Sequence, residues 1–466
     1  MVFEIAAEDL DGVLGHTREV WTQLRGSRIF LTGGTGFFGR WLLASLLWAN
    51  RRLDAGVRAV VMTRDPAGFL ARFPEAGDPC LTLHPGDLRY SVLPAGHFSH
   101  IVHAATDSKF DQPAEHFQIM DGIVTGTRRL LDFAVHRAEA RRLLFVSSGA
   151  VYGAPPADGS PIPETHPTAP STTDPAALVG NAKRLAEQMC TLYHQQFGLE
   201  IPIARCFAFV GPHMPMDSYF AIGNFIRDAC GEGEEILVKG DGTAVRSYLY
   251  AADLAIWLWR LLAAGETRAY NVGSDHAVSM KELAYFVQKQ LAPTRRVRIA
   301  GENRHHSAAR SVYLPDIHRA RTELGLQVQT PLPLAIERTA AWHRQTREVP
   351  PTRSSRPGRR LVVDIDGVLA SLTHQNDYSK AQPLTHTIQA INRLHDSGDR
   401  IVLLTARGSA TGLDWRAVTE RQMSDWGVRY HELHFGKPAA DLYVDDRMIS
   451  LEMLHALAAE TQNESR

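Results

Sequence analysis

Nine residues, Leu31-Thr32-Gly33-Gly34-Thr35-Gly36-Phe37-Phe38-Gly39, restrict what this chain can fold into more than any other stretch. The apolar run Arg28-Ile29-Phe30-Leu31 before them has strand character, and the apolar run from Phe38 to Trp48 after them is compatible with a helix. The glycines therefore fall at a strand-to-helix turn, the setting in which a glycine loop cradles phosphate. Gly33 permits the tight turn, Gly36 lets backbone approach a pyrophosphate, and Gly39 lets helix and strand pack closely. The helix N-terminus adds unpaired N–H groups and the positive end of a dipole.

The rest of the chain extends this turn into a layered fold. Strand candidates at residues 57–62, 81–83, 101–105, 143–147 and 201–207 alternate with helical stretches. That rhythm predicts a parallel, doubly wound α/β sheet. Residues 1–26 read as an amphipathic helix with Leu10, Val13, Leu14, Val20 and Trp21 near helical spacing, a packing or dimer-contact element. At 466 residues and 44% hydrophobic content the chain is too long for one ordinary core. The segment TREVPPTRSSRPGRR, residues 346–360, breaks the pattern and is read as a linker between a first domain at 27–345 and a second at 361–466. Its arginines lack interleaved aromatics, which argues for solvated linker and against a nucleic-acid patch.

Charge and cysteines exclude several classes. Formal net charge is −1, so no global basic field favours nucleic acid. Cys80, Cys190, Cys206 and Cys230 are far apart and form no CxxC pair, as expected for reduced thiols in a cytoplasmic protein. No stretch reaches the about 18 uninterrupted apolar residues of a membrane span. The 21 histidines show no repeated metal-ligand spacing, and Trp257 and Trp259 lie on an apolar helix as core residues.

The second strand ends in Thr63-Arg64, where a site selective for NAD usually offers an acidic residue to the ribose hydroxyls. An arginine there suits a 2′-phosphate, so the cofactor is read as NAD(P) with a lean to NADP. Gly86-Asp87-Leu88 and His103-Ala104-Ala105 fall at the carboxyl ends of the third and fourth strands, where ligands bind in such sheets. With Ser147-Ser148-Gly149-Ala150-Val151-Tyr152-Gly153, Gly180-Asn181-Ala182-Lys183, Arg205, Val210-Gly211-Pro212 and Gly240-Asp241-Gly242 leading to Arg246-Ser247-Tyr248, these motifs make residues 27–345 resemble the extended short-chain dehydrogenase/reductases. That family acts on nucleotide sugars as epimerases, dehydratases or decarboxylases. The resemblance implies a Rossmann-type cofactor domain with a small C-terminal substrate lobe and a homodimer. Carried over by position, Gly33, Gly36, Phe37, Phe38, Gly39, Thr63, Arg64, Asp87, Leu88, His103, Ala104, Ala105 and Lys183 would bind cofactor. Ser148 and Lys183 would take part in catalysis, and Arg246 and Tyr152 would contact the sugar nucleotide.

One position departs from that family. Its members carry a tyrosine four residues before the lysine as general base, and here Val179 stands there. Valine moves no proton. Either Tyr152, Tyr248, Asp107 or Lys109 supplies the acid/base, or the reaction needs none at that position, or the domain only binds ligand. Gly149-Ala150 also replaces the acid pair that dehydratases of this family place there, which leaves epimerisation, decarboxylation or reduction.

The second domain opens with Leu361-Val362-Val363-Asp364-Ile365-Asp366-Gly367-Val368-Leu369, an apolar strand that delivers two carboxylates into a turn. Alternation along an ideal strand lets Asp364 and Asp366 share a direction, one as nucleophile and the other as proton donor. Ile401-Val402-Leu403-Leu404-Thr405 ends in a hydroxyl, Gly436-Lys437-Pro438 adds a fixed cation, and Leu442-Tyr443-Val444-Asp445-Asp446 ends in carboxylates suited to Mg²⁺. In this order the motifs resemble the haloacid dehalogenase phosphatases, above all small members associated with capsule and surface-polysaccharide synthesis. The resemblance implies that Asp364 attacks phosphorus, Asp366 protonates the leaving group, Thr405 and Lys437 stabilise the phosphoryl charge, and Asp364, Asp366, Asp445 and Asp446 make up the metal site. Short spacing between motifs leaves no room for a large cap. The expected whole is a bifunctional enzyme whose small-molecule partners are a sugar nucleotide and a phosphate ester, with only the phosphatase turning over as the alternative.

Overall fold

Alternation along the first strands decides how the chain layers. In β1 (Arg28–Thr32) Ile29 and Leu31 join one buried core while Phe30 joins another. In β2 (Arg58–Thr63) Ala59 and Val61 face the first core, and Val60 and Met62 the second. A sheet apolar on both faces must be covered on both, which is the requirement of a parallel sheet wrapped by crossover helices. The computed structural model describes residues 1–106, 116–216, 220–301, 311–348, 359–373, 377–396, 398–409, 411–437 and 454. It divides into two units, Met1–Val349 and Pro350–Arg466.

In the first unit β1 and β2 are followed by β3 (Leu81–Pro85), β4 (His100–His103), β5 (Arg142–Ser148) and β6 (Ile203–Cys206). The short strands β7 (Phe209–Val210), β8 (Glu235–Val238), β9 (Val245–Arg246) and β10 (Leu249–Tyr250) come before β11 (Ala269–Val272), and β12 (Val278–Ser279) and β13 (Arg296–Ile299) after it. The main sheet has seven strands in the order β11-β6-β5-β4-β1-β2-β3, all parallel. The chain leaves β1 towards β2 and β3, then returns to β4 on the other side of β1. The crevice between β1 and β4 is therefore the topological switch point at which ligands bind in such sheets.

On one face lie α1 (Ala7–Gln23), α2 (Phe37–Leu53) and, later in the chain, Ala251–Ala264. After α3 (Pro66–Arg72), α4 (His116–His136) and α5 (Leu178–Phe197) cover the opposite face. The paired strands β8–β13 and β9–β12, with α6 (Ala221–Cys230), form a smaller lobe of the same unit. The helix Ala251–Ala264, α7, buries Trp257 and Trp259 as expected. The first helix is built into this unit: Trp21 lies 4.7 Å from Trp259, and buried Asp9 accepts from Tyr250 at 2.7 Å and is paired with Arg338. Arg338 lies on a helix, Leu332–Glu348, that runs three residues beyond the boundary expected at 345. Thr346-Arg347-Glu348 is helix-compatible, and Pro350-Pro351 is the first true breaker. Among the described residues no helix is long and apolar enough to cross a membrane, and none of the four cysteines is in a disulfide.

In the second unit β14 (Arg360–Asp364), β15 (Arg400–Thr405) and β16 (Glu432–Phe435) form a parallel sheet in that order. Val363, Ile401 and Leu403 pack with Ile388, Ile391 and Leu394 of the helix Thr385–Asp396.

Candidate functional site

The cleft of the first unit is shaped by what its glycines lack. Gly33 sits at φ +77°, a left-handed conformation, and a Cβ there would lie 2.5 Å from the Ala104 backbone. A Cβ on Gly39 would run into the Gly33 carbonyl, so helix and turn touch backbone to backbone. Gly36 is the N-cap of α2 and caps it with no side chain, leaving the first N–H groups of the helix to whatever occupies the cleft. The resulting cavity of about 520 Å³ is lined by Thr32, Gly33, Thr35 and Gly36 of the turn, Met62, Thr63 and Arg64 of the second strand end, Gly86 to Arg89, Ala104 to Thr106, and Gln118, Ile119, Gly122 and Ile123 of α4. Of the residues expected to bind cofactor, Gly33, Gly36, Thr63, Arg64, Asp87, Leu88, Ala104 and Ala105 are thus gathered on one wall.

Others have different tasks. His103 does not line the cavity: its ring is buried, with Nδ1 2.9 Å from the Thr32 hydroxyl and Nε2 3.0 Å from that of Thr127. Successive strand residues point to opposite sides, so a motif that brings Ala104 to the ligand turns His103 into the sheet. Burial pushes its pKa down to about 3. Phe37 and Phe38 also stay off the cavity wall and pack against the first core, Phe38 on Phe209 with ring centroids 5.0 Å apart. Asp65 caps α3 by accepting from Gly68 N–H at 2.8 Å. Arg89, which sequence reading passed over, donates from Nε and Nη2 to Asp87 at 2.9 Å each. Those bonds hold the Asp87 carboxyl below its usual range.

Further along the same carboxyl edge, Ser148 ends β5 and accepts from Ala150 N–H at 3.2 Å. Lys183 is buried, donates to the Val146 carbonyl at 2.8 Å, and is pushed down to about 8 by desolvation. Val179 is partly buried against the α4–α5 core. Tyr152, expected at the substrate, is 1% exposed and donates to Asn271 Oδ1 at 2.6 Å, with Arg205 over its ring at 4.7 Å. Burial raises its phenol to about 12. It braces the turn after β5 against β11 and is no open phenol. Tyr248 is buried too, and Asp107 and Lys109 lie outside the described residues. Arg205 is itself held by Glu187, which also accepts from Ser147 at 2.5 Å. Arg246, on β9, donates to the Val245 and Ser311 carbonyls at 2.8 and 3.0 Å, with its guanidinium 5.6 Å from the Tyr313 ring.

In the second unit, strand ends bring together four of the residues read from sequence. Asp364 is the last residue of β14 and accepts from Ile365 N–H at 2.8 Å and from the Lys437 ammonium. The strand ends there, so Asp366 lies in the following turn and strand alternation does not orient it. Its position is set by Arg407, whose Nε and Nη2 donate to the carboxylate at 2.7 to 3.1 Å. The Arg407 side chain is 0% exposed and donates also to Thr419 and Gln422. Thr405 accepts from Arg407 N–H at 3.1 Å, and its carbonyl accepts from Lys437 N–H at 3.1 Å. Arg407 follows Thr405 by two residues, and its pairing with Asp366, 41 residues away, gives no signal in the sequence. Asp445 and Asp446 lie outside the described residues, among which no group of three His, Cys, Asp or Glu side chains could hold a metal ion.

The model of the NAD dependent epimerase/dehydratase family matches residues 29–273. UDP-glucuronic acid decarboxylase 5 of Arabidopsis thaliana is 32% identical over 209 residues, which are 45% of this chain and 59% of that protein. A dTDP-glucose 4,6-dehydratase from an Actinoplanes species is 26% identical over 69% of this chain and 98% of its own length. Among solved structures, DesIV, a dTDP-glucose 4,6-dehydratase from Streptomyces venezuelae with NAD and TYD bound, has a TM-score of 0.57 at 26% identity, covering 69% of this chain and 98% of that one. The chain spans about three fifths of the length of the decarboxylases it matches. Strand order, glycine turn and sequence agree: the chain belongs to the NAD dependent epimerase/dehydratase family.

Proposed function

We propose that the first unit binds NAD(P) and a nucleoside-diphosphate sugar and changes the sugar's stereochemistry or oxidation state, and that the second hydrolyses a phosphate ester. The observation that carries the first part is the glycine cradle, where backbone meets backbone and the start of α2 faces the cavity without a cap. The cavity residues fit a dinucleotide: the α2 N-terminus would take the pyrophosphate, and Thr63 and Arg64 the ribose. No acid from the end of β2 is offered there, because Asp65 caps α3, and this supports NADP. The nicotinamide supplies a hydride acceptor when bound. Ser148 and Arg246 would hold the sugar nucleotide, Arg246 through its planar fork of donors. Relatives named for UDP-glucuronic acid and dTDP-glucose support a uridine or thymidine diphosphosugar. Exposed Phe117 and Met120 on α4 and Leu185, Leu192 and Phe197 on α5 support a homodimer formed through that face.

For the second unit, Asp364 attacks phosphorus to give an aspartyl-phosphate, while Asp366 protonates the leaving oxygen and then takes a proton from the attacking water. Lys437 and Thr405 offset the phosphoryl charge. Support comes from the ion pair that brings Lys437 to Asp364 and from the fixed Thr405 hydroxyl. Mg²⁺ would be held by Asp364 and Asp366 together with Asp445 and Asp446, where it would offset negative charge on the phosphoryl group.

A second reading keeps the first unit as a binding module. Val179 favours it, since the family's phenolic base is missing and the Lys183 amine is engaged by a backbone carbonyl. The deciding experiment incubates the full chain in heavy water with NAD(P), Mg²⁺ and panels of sugar nucleotides and sugar phosphates, followed by mass spectrometry, with Asp364→Asn as control. Deuterium uptake or a mass change in a sugar nucleotide that persists in the control supports two active units. Phosphate release alone, lost in the control, leaves only the phosphatase.

A further inference from the structure

Left-handed backbone at a residue with a side chain costs free energy, and Phe3, Glu4 and His213 all adopt it, at φ +49°, +59° and +72°. Phe3 and Glu4 are the central pair of a hairpin turn in which Val2 and Ile5 exchange backbone hydrogen bonds. Such turns favour Asn-Gly, so Phe-Glu is held there by its surroundings. Val2, Phe3 and Ile5 are buried, the Phe3 ring stacks on Phe69 at 5.8 Å, and Glu4 pairs with Arg72 at 2.6 Å. The Phe3 carbonyl lies 2.6 Å from His213 Nε2.

His213 carries the connection inward. Its Nδ1 lies 2.9 Å from Arg40 Nη1, and Arg40 Nε donates to the Thr35 carbonyl at 2.9 Å. A guanidinium only donates and a carbonyl only accepts, so His213 is neutral, accepting at Nδ1 and donating at Nε2. Its ring packs on Phe73 and Trp342, with centroids 5.7 and 5.0 Å away, and burial keeps its pKa down at about 3. The peptide between Thr35 and Gly36 is thereby held at both ends, its carbonyl by Arg40 and its N–H by the Gly33 carbonyl at 3.1 Å. Helix α2 starts from that peptide, whose plane sets the direction in which the first N–H groups meet the cavity. Phe3, Arg40 and His213 themselves line no part of the cavity.

We propose that Arg40 and His213 are positioning residues for the pyrophosphate of a bound dinucleotide, and that through them the Val2–Ile5 hairpin is coupled to cofactor affinity. This coupling presupposes that the first unit binds a dinucleotide, as proposed above. The docked hairpin orients His213, His213 fixes the Arg40 fork, and Arg40 fixes the turn. Coupling between two sites is reciprocal, so a dinucleotide on the turn holds the hairpin down by the same factor as the docked hairpin favours the dinucleotide.

The test uses the full-length protein, with NADP and NAD as probes. Calorimetry compares the wild type with Arg40→Met, which keeps an unbranched stem beside Phe73, and with His213→Asn, which tolerates left-handed backbone but is too short to reach both partners. Each is expected to bind dinucleotide roughly tenfold more weakly, as for loss of a hydrogen bond to a charged group. The double variant should be no weaker than Arg40→Met alone, because both changes cut one path. Saturating NADP should slow hydrogen exchange of the Ile5 amide, which donates to Val2 inside the hairpin, in the wild type and not in Arg40→Met. Additive losses, unchanged affinities, or Ile5 exchange that NADP slows equally in both proteins overturn the coupling. An Ile5 amide indifferent to NADP in the wild type overturns it too, with no variant required to fold. A wild type that binds neither NAD nor NADP overturns the dinucleotide reading, and the coupling with it.

Discussion

The two units build their sites by opposite means. In the first, the cleft exists because side chains are absent: Gly33, Gly36 and Gly39 let backbone meet backbone, and the charged groups nearby are tied up in pairs such as Arg89–Asp87 and Arg205–Glu187. In the second, the site consists of charged side chains held at strand ends by other charged side chains, Lys437 on Asp364 and Arg407 on Asp366. A site made of shape does not depend on any one reactive group, and Val179 takes nothing from the lining of the cradle. A site made of charges fails when one charge is removed.

That contrast can be broken by mutation. The largest effect is expected from Asp364→Asn, which removes the proposed nucleophile: phosphate release should fall by on the order of a thousandfold or more, with nucleotide binding by the first unit unchanged. Retention of most phosphatase activity would place the nucleophile elsewhere. Gly39→Ala should act on the other unit through packing alone, lowering its stability by about 1–3 kcal/mol in urea unfolding and weakening NADP binding. An alanine variant of native stability would show that the cradle has slack. Arg407→Lys keeps the charge but not the fork, and a roughly tenfold drop in phosphate turnover with little change in KM would identify Arg407 as a positioning residue.

The smallest predicted difference lies in acid response. Burial pushes His100 down to about 4 and His103 and His213 to about 3, all in the first unit. In the unfolded chain these rings take up protons near pH 6.5, whereas in the folded unit they stay neutral until much lower. Their contribution is complete above pH 6.5 and is lost as pH falls towards 3 to 4. Calorimetry between pH 7 and 4.5 should show the transition of the first unit moving down. A transition that holds steady over that range would mean that the rings are not sealed from solvent.

Sequence revealed what depends on neighbours in the chain. The turn around Gly33 was legible because φ +77° and backbone contact demand glycine, and apolar residues near helical spacing pointed to a helix over residues 1–26, of which Ala7–Gln23 is helical. The layering of the first unit followed from alternating strands and helices. What escaped depends on partners distant in sequence. His103 stands within a cofactor motif, yet Thr32 and Thr127 claim both its nitrogens. Tyr152 carries the right hydroxyl, but Asn271, 119 residues on, takes it. Arg407 is invisible as the keeper of Asp366 until β14 and β15 are paired.

The clasp between Asp9, Tyr250 and Arg338 sets an order of events during synthesis. Asp9 is made well before its partners and is buried in the finished unit, where desolvation raises its pKa despite the nearby cation. Its phenolic donor arrives 241 residues later and its guanidinium 329 residues later. Until then, burying α1 would strand a carboxylate in the core without partners. Thus α1 is locked only after Arg338 has been made, and the unit closes late in its own synthesis.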